Sequence, residues 1–195
     1  MEMGRTFIRE SYQKNFSPLL LLWRGIAQYV VQNPHYKILF GAVSISNEYH
    51  SYSRQLMVTF LKMNNFLPDL SRLVKPRQPF RQKKIKGLNE GKISLWGNDL
   101  EDLSSWISAL EADGKGIPVL LKQYIKLSGK ILCFNVDTQF GNSLDGLVMV
   151  DLTKTDRKVL ERYMGQQGFM KFHSFYSNMA MQQQKSISID SYAGA

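Results

Sequence analysis

Residues 37–65, KILFGAVSISNEYHSYSRQLMVTFLKMNN, restrict the fold more than any other stretch of this chain. From Lys37 to Val43 an almost unbroken apolar run reads as a strand buried on both faces, as in the interior of a mixed sheet. The stretch Ser44, Ile45, Ser46 and Asn47, polar at three of its four positions, ends it. Tyr52, Leu56, Phe60 and Met63 then recur at three- and four-residue spacing, which predicts a helix over 51–64 with those four on its core face. Strand, polar break and helix together form the repeating unit of α/β folds, in which ligands gather at the carboxyl ends of strands. Ser44, Ser46 and Asn47 therefore either meet a ligand or only cap the helix. The residues alone leave both readings open.

The rest of the chain extends this pattern. Phe7 and Ile8 lie in a short strand-like run near the N-terminus. In FSPLLLLWRGIAQYVVQNPH, Ser17 is an N-cap with Pro18 at the first helical position, and Asn33-Pro34 ends the helix. Apolar residues cover most of that helix, which predicts extensive burial. Helices are also expected from Glu101 to about Ala112, from Pro118 to a stop at Gly129, and from Asp156 to about Met164. KILCFNVDTQF and SLDGLVMVDL read as a β-hairpin. The order is strand, helix, strand, helix, helical insert, hairpin, helix, with the first two strands expected as parallel neighbours joined by a right-handed crossover. At 195 residues one domain is expected, over 1–172, followed by a polar, low-complexity tail over 173–195 that reads as disordered.

Charge narrows the partners. The formal net charge is +9, and between Arg72 and Lys86 seven basic residues occur with no acidic one. These are Arg72, Lys75, Arg77, Arg81, Lys83, Lys84 and Lys86, in a stretch where Pro76 and Pro79 prevent a regular helix. Such a loop suits an anionic partner or is simply solvated. No recognition-helix, RNP-like or zinc pattern supports nucleic acid. The single cysteine, Cys133, rules out a disulfide framework and reads as a structural thiol, and three histidines without metal spacing predict no metal site. No apolar run reaches the ~18–20 residues of a membrane span. On these grounds the chain is expected in the cytoplasm.

EMGRTFIRESYQ, LLLLWRGI, LFGAVSISNEY, SRQLMVTFL, DGKGIPVLLKQYIKLSGKILCFNVDTQF, LDGLVMVDL and LERYMG together carry a resemblance that runs from about Glu2 to Gly165. They resemble the bacterial GNAT-superfamily N-acyltransferases that make ornithine and glycine lipids. These are often labelled hemolysin-like, and are related more distantly to autoinducer synthases. The resemblance implies the C-terminal part of a GNAT-like α/β fold. EMGRTFI would be its fourth strand and KILFGAVSISN its fifth, splayed apart around an acyl thioester. Ser44, Ser46 and Asn47 would then line the mouth of the gap and bind the acceptor. Glu2 and Arg5 match the acidic–x–small–Arg pattern that opens the fourth strand. Glu2 would be the base or hold a water, or else pair structurally with Arg5 or Arg9. Tyr49 stands where some members place a tyrosine that protonates the leaving thiolate.

The same resemblance implies a co-substrate rather than a bound cofactor. The loop RESYQKNFSP lacks the glycines that cradle the pyrophosphate of acyl-CoA, which favours an acyl-carrier-protein donor. An acidic carrier or an anionic inner membrane face would suit the basic stretch, and an O-acyltransferase is an expected partner. The family's domain has three strands and two helices before the fourth strand, so the chain reads as cut at its front. A non-catalytic remnant that binds membrane or protein through its basic loop is the competing reading.

Overall fold

The structure, a computed structural model, describes residues 1–4, 6–13, 16–83 and 99–192. The chain is mixed α/β. It divides into two compact units rather than the single domain expected over 1–172. One comprises Glu2–Gly4 and Ile38–Asp151; the other comprises Met1, Arg5–Lys37 and Leu152–Ala195.

The first unit holds a three-stranded antiparallel sheet of β1 (Ile38–Ile45), β2 (Lys130–Asp137) and β3 (Ser143–Asp151), in the order β1-β3-β2. The expected hairpin is β2–β3. Its turn is closed by Asp137, whose Oδ1 accepts from the backbone N–H groups of Gln139 and Phe140 at 2.9 and 3.2 Å. Ile38 stands opposite Asp151, and Ile45 opposite Leu144. β1 is not the doubly covered interior strand that its apolar run suggests. Leu39, Val43 and Ile45 are buried, while Phe40, Ala42 and Ser44 are exposed, and Phe40 remains 41% accessible. The two faces differ although both carry apolar residues, so residue type concealed the alternation. The expected parallel neighbour is present as one bridge, Glu2 to Phe40, with Met3 N donating to Phe40 O at 2.6 Å.

Helix α2 (Ser51–Asn64) has the expected bounds but a rotated core face. Ser53, Leu56, Met57, Phe60 and Leu61 are buried, whereas Tyr52 and Met63 stay exposed. Helix α3 (Pro68–Ser71) follows, and residues on either side of it bond to the outer edge of β2. Ile131 N donates to Asn65 O at 2.7 Å, Leu67 N to Ile131 O at 3.0 Å, and Val136 N to Gln78 O at 2.8 Å. Covering an edge strand satisfies backbone groups that would otherwise recruit another chain. Helices α4 (Leu100–Leu110) and α5 (Val119–Lys126) add Leu103, Ile107, Leu121 and Tyr124 to the core formed with Ile131, Leu144 and Val148. Lys122 and Lys126 share Glu101 at 2.9 and 3.7 Å, which holds the Glu101 carboxyl below the usual range, chiefly through the hydrogen bond from Lys122. Helix α5 ends at the expected place with a different residue in the special conformation. Ser128, not Gly129, has positive φ (63°), and Ser128 N and Gly129 N donate to Ile125 O and Tyr124 O. This is a Schellman cap with serine in the left-handed position.

The second unit pairs α1 (Phe16–Gln32) with α6 (Arg157–Tyr192). Trp23, Ala27, Val30 and Val31 form the buried stripe of α1, but Leu21 and Tyr29 are exposed, so the helix is less covered than its composition suggests. The Trp23 and Tyr163 rings lie 6.1 Å apart. α6 is kinked at Gly165, the expected stop, and then continues to Tyr192, so the tail boundary expected at 173 falls inside a helix. Phe169 and Phe172 are buried and the Tyr176 hydroxyl donates to Pro34 O.

Candidate functional site

The site expected around the end of β1 lies within the first unit. Phe40 O faces the N-terminal residues, so by two-residue alternation the backbone groups of Ala42 and Ser44 face the same edge. Among the described residues, Glu2 to Phe40 is the only strand pairing on that edge. Beside this edge lies an exposed face bearing Phe40, Ala42 and Ser44. Glu2 is exposed at this point, and Arg5 lies outside the described residues.

Past Ile45 the chain makes a turn that satisfies its own polar groups. Ser46 Oγ accepts from Glu48 N at 3.1 Å, and Ser46 O from Tyr49 N at 3.3 Å. His50 is the N-cap of α2, its Nδ1 accepting from Tyr52 N at 3.3 Å, which places the ring proton on Nε2. His50 N donates to Glu111 Oε1 at 2.9 Å, and the Tyr49 hydroxyl donates to Gly116 O at 2.7 Å. Lys115 Nζ sits 4.8 Å over the Tyr49 ring and 3.9 Å from Glu111. Glu111 is 9% exposed, an acidic residue well inside the protein. It ties the turn to the loop after α4 across 61 residues of sequence. Sequence reasoning missed both His50 and Glu111, because neither belongs to an apolar period or a recognisable motif.

Tyr49 is thus a buried residue whose proton is already shared with a backbone carbonyl. Burial, then the Glu111 and Asp113 carboxylates, push its pKa from 10.0 to about 12. Replacing Tyr49 with phenylalanine is expected to cost about 1–2 kcal/mol, since Gly116 O loses its donor. The sign of the pH effect follows from the raised value. Holding the phenol neutral stabilises the fold fully below pH 10, and that contribution is lost as pH rises through about 12. Urea midpoints of both forms should therefore converge over that window; a constant difference would remove the role of ionisation.

Of the acceptor-binding candidates, Ser44 and Asn47 are exposed, while Ser46 serves the turn. The structure adds a residue beside Ser44. Ser44 is in register with Asp145, and Asp145 with Asn135, so one polar row crosses all three strands. Directly opposed residues of an antiparallel pair share a face. Asp145 accepts from Ser143 Oγ at 3.1 Å, and Asn135 Oδ1 from Gln78 N at 2.8 Å. Only strand register brings these residues together, which is why the row could not be read in advance.

The basic residues separate into kinds. Arg72 pairs with Asp69 at 2.6 Å, and Lys75 and Arg77 are exposed on the edge-covering segment. Arg81 and Lys83 face a cleft with Arg54, whereas Lys84 and Lys86 lie outside the described residues. Burial raises the Cys133 thiol pKa, as suits a structural residue. Among the described residues no helix is long and apolar enough to cross a membrane, and no cluster of His, Cys, Asp and Glu could hold a metal ion.

Comparison with known proteins bears on the chemistry. The chain is similar to proteins named glycine N(alpha)-acyltransferase. One, from Bacteroides thetaiotaomicron, is 28% identical over 171 residues, covering 82% of this chain and 49% of that protein. Another, from Phocaeicola vulgatus, is 26% identical over 147 residues, covering 72% of this chain and 44% of that protein. The chain therefore spans about half the length of the curated relatives it matches. No protein-family model and no solved structure matches it.

Proposed function

We propose that this chain is the thioester-handling part of an N-acyltransferase that moves a fatty acyl group to the amine of an amino acid in amino-acid-lipid synthesis. The observation that carries this reading is its similarity, over most of its length, to two proteins named glycine N(alpha)-acyltransferase. The β1 edge presented by Ala42 and Ser44, which carries no strand pairing among the described residues, supports it physically, because an extended thioester arm could lie along it.

The reaction forms one C–N bond and breaks one C–S bond. The amine must lose a proton, its nitrogen attacks the thioester carbonyl, and the sulfur departs and takes up a proton as thiol. Glu2, exposed at its bridge to Phe40, is suited to accept the amine proton. Arg5 and Asn47 are suited to hold charge on the acceptor or the developing oxyanion. Asp145, opposite Ser44, offers a second carboxylate for an ammonium-bearing acceptor. An acyl carrier protein is the preferred donor, and the basic residues from Arg72 to Lys83 are suited to its acidic surface or to anionic lipid at the membrane face.

The test is acyl transfer from palmitoyl-acyl carrier protein and from palmitoyl-CoA to glycine and to ornithine, followed by mass spectrometry. Glu2→Gln should lower turnover by about a hundredfold with an unchanged circular dichroism spectrum, and Asn47→Ala should lower it as well. Unchanged turnover in both variants would remove these site assignments. Absence of any N-acyl product with every donor and acceptor would leave the binding-module reading.

A further inference from the structure

A cleft of about 820 Å³ opens beside the first turns of α2. One side is formed by Ser51, Tyr52, Arg54 and Gln55, the other by residues 78–83 and Val136. Three cations line it, Arg54, Arg81 and Lys83, and among the described residues no carboxylate does. Arg54 stands out because its Nε is buried without a hydrogen-bond partner. A buried guanidinium N–H in that state costs free energy that an anion would recover. Some cations elsewhere are matched with acids, Arg72 with Asp69, Arg157 with Glu161, Lys115 with Glu111 and Asp113, and Lys122 and Lys126 with Glu101. Among the described residues the side chains of Arg54, Arg81 and Lys83 have no such acid.

The cleft walls are held in place. Lys83 N donates to Gln55 Oε1 at 2.9 Å, Gln82 Nε2 to Thr59 Oγ1 at 2.7 Å, and Phe80 N to Phe134 O at 3.3 Å. The segment bearing two of the cations is thus fastened both to α2 and to β2. Tyr52, Pro79, Phe80 and Val136 supply an apolar wall next to the charges. The positive end of the α2 dipole adds to the same field.

We propose that this cleft binds the phosphate of a small phosphate ester, with the ester's organic body against the Tyr52–Phe80 wall. Three converging cations suit a dianion with several peripheral oxygens better than a single carboxylate, which two donors can satisfy. The volume lies in the range of ligand sites, large enough for more than the phosphate itself. Two sources share this chemistry: the phosphopantetheine arm of a thioester donor, and the headgroup of a lipid. The inference does not depend on acyl transfer, because binding is read directly.

The experiment is calorimetric titration of the full chain at about 0.15 M ionic strength with pantetheine 4′-phosphate, pantetheine, glycerol 3-phosphate and inorganic phosphate. Saturable 1:1 binding of the esters is expected, with pantetheine weaker than its phosphate by about tenfold or more. Arg54→Gln should weaken ester binding by a similar factor, as should the exposed double variant Arg81→Gln/Lys83→Gln. Lys158→Gln, an exposed change on α6, should not. Preference for pantetheine 4′-phosphate would assign the donor arm, and preference for glycerol 3-phosphate a headgroup. No saturable ester binding, equal binding of pantetheine and its phosphate, or equal losses in Lys158→Gln and Arg54→Gln would each overturn the proposal. If Arg54→Gln fails to fold, the double variant carries the test.

Discussion

Replacing Gly41 with alanine is expected to destabilise the first unit by about 2 kcal/mol and to release Glu2 and Met3 from β1. A Cβ at position 41 would lie 2.3 Å from Met3 O and 3.1 Å from Met3 C. Those are backbone atoms, so no side-chain rotation relieves the overlap. Either β1 or the N-terminal residues must move. The N-terminal segment is the weaker partner, held by one parallel bridge, with Met3 N on Phe40 O. Moving it re-exposes Met3, now 7% accessible, and burying a side chain of that size is worth roughly 1.5–3 kcal/mol. The measurement is a urea unfolding curve together with hydrogen exchange at the Met3 amide. A lower midpoint with faster Met3 exchange is the expected result. An unchanged midpoint with Met3 still protected would refute the close approach. On the proposed function, acyl transfer should fall as well, since Glu2 would leave the strand edge that positions it.

Gly165→Ala is the second change with a large expected effect, and its cause is different. Gly165 has φ 72° and ψ 164°, a conformation open almost only to glycine. A Cβ there would meet nothing within 4 Å, so crowding plays no part and the cost is that of the backbone alone. A loss of about 1–3 kcal/mol is expected. The alternative for the variant is to remove the kink and run one straight helix from Arg157. That would displace Phe169 and Phe172 from the buried face they share with Tyr163 and Met164. Thermal unfolding measures the first outcome, and the near-ultraviolet signal of the Trp23–Tyr163 pair measures the second. A variant equal to the parent in both would show that the kink imposes no strain.

Much of the local structure was legible in the chain. The bounds of α2, the β2–β3 hairpin, the stop near Gly129 and the α/β class all follow from apolar period, caps and turn residues. Those signals act over a few residues, where backbone conformation is decided by the nearest side chains. Faces were harder to read. Phe40 and Ala42 look like core residues and are exposed, while Tyr52 and Met63 fit a helical stripe that lies to one side of the true core. Which way an element turns depends on what packs against it, and that information is not local.

The candidate site divides in the same way. The polar break of Ser44, Ser46 and Asn47 after β1 and the basic segment from Arg72 to Lys86 were determined by the sequence itself. The burial of Tyr49 against Gly116, the hold of Glu111 on His50, the Ser44–Asp145–Asn135 row and the convergence of Arg54 with Arg81 and Lys83 were decided only by tertiary structure. Each joins residues far apart in the chain. Hydrogen bonds and strand register, rather than any period in the sequence, choose such partners.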